Sequence, residues 1–115
     1  MRHAEWLAGR TPAAPARLQA HLQRLFGEHQ EWNALTLPDA LVAASELLLV
    51  RVLASDASSR GVATDLLAAD ACVTYAFEAA ADDPASIAPL AERAMRRIAA
   101  LAAVEAPHPS PFPTG

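Results

Sequence analysis

The 115-residue chain has no lysine, one cysteine, four glycines and only six aromatic residues among Phe, Trp and Tyr. Each shortage excludes something. A lone Cys72 cannot close an internal disulfide, and no second thiolate stands near it, which removes both a disulfide scaffold and a cysteine zinc site. All nine basic residues are arginines, set against thirteen acids for a net charge of −4. Such a chain offers no basic stripe to displace counterions from phosphates, so nucleic acid is not an expected partner. Apolar runs are also short. The densest, from Leu41 to Leu53, is broken by Ser45, Glu46 and Arg51, well under the roughly 18 residues of a membrane span. The first residues carry Glu5, Gly9, Arg10 and Pro12 in place of the apolar stretch of a secretory signal. The expectation is a cytoplasmic chain with no membrane segment.

Alanine is what the chain has in plenty, at 29 of 61 apolar residues. It is the strongest helix former and buries little area, so the composition predicts one all-α domain with a thin, closely packed core. Nine prolines divide the chain into windows of helical periodicity. They predict an antiparallel four-helix bundle over 15–105, with helices at about 15–33, 37–57, 62–82 and 86–104. Residues 1–14 are expected to be a flexible segment with one helical turn carrying Trp6 and Leu7. Residues 106–115, where Pro alternates around Phe112, are expected to be a disordered tail.

In the first predicted helix Leu18, Leu22, Leu25, His29 and Trp32 share one face, with Gly27 on the other side. The second opens on Thr36-Leu37-Pro38-Asp39, a capping-box pattern. Between Leu41 and Leu53 its apolar residues fall on every side, which predicts central burial and self-association, most simply as a homodimer through the second and third helices. The third has a stripe of Val62, Leu66, Ala69, Val73, Phe77 and Ala80, beside a small-residue face of Ala68, Ala71, Cys72 and Ala79 that lets a helix approach closely. The fourth buries Ile87, Leu90, Ala94, Ile98 and Leu101, leaves Glu92, Arg93, Arg96 and Arg97 outside, and takes Ser86 as its cap.

Polar groups that interrupt apolar faces are the candidates for chemistry, because burying them unpaired costs free energy. They are His29, Glu46, Asp70 and Arg51. Imidazole and carboxylates from three helices can hold a metal, so His29, Glu46 and Asp70 are the candidate ligands. With Thr74 they also outline a small-molecule pocket between the first three helices. Against a metal, none of Glu28, Glu31 and Glu46 has His three residues later, as ferritin-like bundles require. The structural alternative pairs Glu46 with an arginine. His21, at the edge of the first stripe, reads as surface polarity. Cys72 has no electropositive neighbour on its helix to activate it. Ser58-Ser59-Arg60-Gly61 lacks the spacing of a phosphate-cradling loop. No catalytic residue and no cofactor are expected.

The stretch Leu66-Leu67-Ala68-Ala69-Asp70-Ala71, followed by Ala76-Phe77-Glu78, resembles a helix of the trans-isoprenyl diphosphate synthases. Upstream, Glu46-Leu47-Leu48, Asp56 and Arg60-Gly61 fall in the order of that family's motifs. The resemblance covers about forty residues and implies helix-on-helix packing over 40–82. Where the family has the Asp-Asp-x-x-Asp that holds magnesium and diphosphate, this chain has Asp56-Ala57-Ser58-Ser59-Arg60, and a second Asp-rich motif is missing. The activity is therefore not carried over. The chain reads first as a non-enzymatic, homo-oligomeric interaction or assembly module, with another protein as a further possible partner. A small-molecule or metal-binding bundle is the alternative, and a degenerate isoprenoid-diphosphate-synthase-like protein comes third.

Overall fold

The computed structural model describes residues 3–10, 14–56 and 60–105; the Pro-rich tail lies outside them. Within them the chain forms five α-helices and no strand: α1 (His3–Ala8), α2 (Ala16–Glu28), α3 (Leu37–Ala54), α4 (Arg60–Ala80) and α5 (Ile87–Glu105). Short 3-10 segments, Gln30–Ala34 and Pro84–Ser86, lead into α3 and α5.

Local chemistry sets several of these boundaries. Thr36, in an extended conformation, accepts a hydrogen bond from the Asp39 amide at 3.3 Å, which starts α3 as expected. The second half of the capping box goes elsewhere: the Asp39 carboxylate receives Nε and Nη2 of Arg93 at 3.1 and 2.9 Å. The first predicted helix is shorter than expected. It stops at Glu28 because His29 leaves helical geometry and its Nδ1–H donates to the Leu25 carbonyl, one of the groups left without a partner at a helix end. Trp32 stays buried by way of the 3-10 segment that follows.

The N-terminal turn is a full helix, and its Leu7 is buried. Two of its carbonyls accept from side chains of α2, that of Leu7 in addition to the Arg10 amide. Gln19 donates to the Leu7 carbonyl at 3.2 Å and Gln23 to that of Ala4 at 2.8 Å. Trp6 meets Tyr75 of α4 edge-on, and the Arg10 guanidinium lies 4.4 Å from the Trp6 ring centroid while pairing with Glu78.

The core gathers around α3 and α4. Leu41, Val42, Ala44, Ser45 and Leu48 of α3 are buried, facing Ala68, Ala69, Cys72, Ala76 and Ala80 of α4. The small-residue face lets α3 approach as expected, with Ala68 and Cys72 fully buried, and Ala69 and Ala80 of the predicted stripe are buried beside them. The correction is Leu66 of that stripe, which is 51% exposed, while Val62, Val73 and Phe77 are half-buried. Small side chains let the two backbones approach until the Ser45 hydroxyl reaches the Ala69 carbonyl at 3.2 Å. Leu18, Leu22, Leu25 and Phe26 of α2 close one flank and Leu90 and Ala94 of α5 another.

Within one chain the burial of α3 is incomplete. Val50 and Leu53 near its C-terminus are 42% and 46% exposed. The cover from α5 ends early: Ala94 is buried, but Ile98, one turn on, is 37% exposed. Arg93 and Arg97, expected outside, reach α3 through Asp39 and Glu46, the latter pair at 2.7 Å.

Candidate functional site

Three of the four sequence-predicted site residues line two separate depressions, and the fourth, Thr74, lines neither. His29 and Glu46 line one of about 350 Å³ with Glu31, Trp32, Val50 and Arg97. The His29 ring lies flat on Trp32, with centroids 4.4 Å apart and planes 12° from parallel, and its Nδ1–H is held by the Leu25 carbonyl. Glu46 is committed to Arg97. That is the structural pairing expected of it, half-buried rather than deep. Asp70 lies elsewhere, on the rim of a cavity of about 380 Å³ between α3, α4 and α5. Thr74 is exposed, one turn further along α4.

His29, Glu46 and Asp70 therefore do not converge. Among the described residues no group of three His, Cys, Asp or Glu side chains stands close enough to hold a metal ion. The separation follows from α3. Glu46 projects towards α5 while Ser45, its neighbour in sequence, faces α4, and successive residues on a helix point about 100° apart.

Two polar features escaped the sequence reading. The first is His21, taken as surface polarity, whose Nε2–H donates to the Asp65 carboxylate at 2.9 Å between α2 and α4, with both side chains 16% exposed. Its position at the edge of the Leu18–Leu25 stripe was a signal; the partner 44 residues away was not visible. No hydrogen bond among the described residues joins this pair to a Ser, Thr or Cys nucleophile. The second is Ser45, buried in the floor of the 380 Å³ cavity. Cys72 is chemically quiet, since burial pushes its thiol from 9.0 up to about 12.

The cavity by Asp70 is the larger depression and the more apolar in its walls. Ser45, Leu49, Leu66, Ala69, Val73 and Ile98 line it with Asp70. It shares Leu49 and Ile98 with a neighbouring groove of about 230 Å³ whose other walls are Val52, Leu53 and Leu101, all apolar. Together they form a continuous apolar trough where α5 leaves α3 uncovered. Sequence reasoning put Leu66, Val73, Ile98 and Leu101 on buried stripes and left the full cover of α3 to self-association. No helix among the described residues is long and apolar enough to cross a membrane. No family model matches the chain, and no curated protein or solved structure matches it either.

Proposed function

We propose that the chain is a non-enzymatic helical assembly module that pairs with a second copy of itself through α3 and α4. In this reading α2 to α5 make an antiparallel four-helix bundle with one flank left for the partner. The observation that carries it is the trough. Leu53, Leu66 and Ile98 are each more than a third exposed, and they line a depression that Ser45, a buried residue, also lines. Contiguous apolar surface of this kind, with a charge at its rim, marks an interaction site. A second copy suits it because the trough is bordered on α4 by an acid, Asp70, while the same helix begins with an exposed base, Arg60. Two copies can satisfy each other's charges.

Sedimentation equilibrium at tens of micromolar tests this directly, with a dimer mass expected. Leu66→Glu, which places a charge in the contact, should shift the population to monomer without loss of helicity. A wild-type protein that remains strictly monomeric overturns the proposal.

A second reading draws on Ser45. Its hydroxyl is spent as a donor on Ala69 but keeps acceptor lone pairs at the floor of an apolar cavity with Asp70 at the mouth. A small apolar molecule carrying a cationic or N–H group fits that chemistry. Native mass spectrometry of the purified chain separates the readings, because a retained small molecule on a monomer supports this one.

A further inference from the structure

We infer that the second copy docks antiparallel along α4, in a register set by Arg60 and Asp70. This rests on the self-association proposed above and specifies its geometry. Arg60, Ala63, Leu67, Asp70 and Thr74 recur along α4 at steps of three, four, three and four, and all five are exposed. Such spacing is the three-four repeat of a two-stranded coiled-coil seam, here with Leu67 as its one large apolar residue, on the side of α4 opposite the Ala68 to Ala80 face that enters its own core. The centre of the seam is Leu67, 55% exposed.

Charge fixes the direction. Neither Arg60 nor Asp70 belongs to an ion pair among the described residues, although Glu78 on the same helix has Arg10 and Asp65 has His21. In a parallel pair Arg60 would lie beside Arg60 and Asp70 beside Asp70, a repulsive arrangement. An antiparallel pair related by a two-fold axis at Asp65 puts Arg60 of each copy against Asp70 of the other. The same operation seats each Leu67 over the Ala63 of the other copy, large against small. The two-fold also matches what heptads require, since antiparallel strands pair the first core position of one with the second of the other. Leu66, on the flank nearest the trough, is covered by the incoming helix. A helix face with Leu67 near its centre and one charge of each sign is thus complementary to itself, which selects a second copy over an unrelated partner.

The test is a charge exchange on the full chain, read by sedimentation velocity over about 1–200 µM at low salt, with circular dichroism to confirm that each variant is helical. Arg60→Asp and Asp70→Arg should each weaken homodimerisation by about tenfold or more. Mixing the two single variants should restore association, because each supplies what the other lacks. The double variant should dimerise within about threefold of wild type. Single variants that associate like wild type, or a mixture and double variant that both stay monomeric, overturn the register while leaving self-association intact. A wild-type chain that is monomeric at the highest concentration overturns self-association itself.

Discussion

Ser45 shows how much one side chain decides. It is 1% exposed, and its hydroxyl donates to the Ala69 carbonyl, so it is where α3 and α4 come nearest through a polar group. Ser45→Ala removes that bond while keeping the volume, and chemical denaturation should show a loss of about 1 kcal/mol. Ser45→Leu forces the helices apart and should cost more, about 1–3 kcal/mol. Cys72, on the opposing face, gives a pH prediction. Its thiol titrates near 9.0 unfolded and near 12 in place, so the stability it contributes is whole below pH 9 and is lost as pH rises towards 12. Over that window wild type should lose stability with a slope approaching one proton, about 1.4 kcal/mol per pH unit. Cys72→Ala should lack this component of the slope; an identical pH profile in the variant would contradict the burial of the thiol. At this scale the sequence disclosed residues with one dominant surrounding. Cys72 lies buried among small residues, and Glu46, within an apolar helix, pairs with an arginine, the structural alternative that the sequence offered for it. His21 was not legible in this way, because its meaning depends on Asp65, and a contact between distant helices leaves no periodic trace.

Helices were legible where a boundary has its own chemistry. Thr36-Leu37-Pro38-Asp39 announced α3, and Thr36→Ala should cost about 1 kcal/mol in thermal or urea unfolding through the lost cap. The variant Asp39→Ala is a useful contrast. It keeps the cap but severs Arg93, a half-exposed pair worth at most about 1 kcal/mol, and its deficit should shrink in high salt where that of Thr36→Ala does not. Faces were harder to read than ends. On α4 the bulky stripe and the alanine face are both periodic, and hydropathy favours the bulky one. Packing turned the helix between the two: Ala68, Ala69, Cys72, Ala76 and Ala80 are buried because their small size lets α3 and α4 approach closely, and Leu66 is left outside. The end of α2 turned on His29 binding back to Leu25, a local competition for a carbonyl that a count of apolar residues does not register.

For the whole molecule, the large apolar residues and the helices available to cover them do not balance. Alanine builds thin helices that pack tightly in pairs, and α5 covers α3 only as far as Ala94, so Leu53, Leu66, Leu67 and Ile98 remain outside. A seam of Arg60, Ala63, Leu67, Asp70 and Thr74 beside that surface gives a second copy both apolar contact and charge pairing. If the native state is a dimer, unfolding separates two chains and the midpoint must rise with concentration by mass action. A hundredfold increase above the dissociation constant adds about 2.7 kcal/mol per dimer, which for two chains of this size moves the midpoint by about 5 °C. Calorimetry on wild type from about 20 µM to 2 mM should show that rise, whereas Asp70→Arg, with its dimerisation weakened by about tenfold or more, should show a smaller rise that begins at higher concentration. Leu67→Ala should fall between them, with its charges intact and its apolar contact reduced. A wild-type midpoint that does not move with concentration would mean that each chain holds its fold alone, with the trough exposed to water or filled by a small molecule.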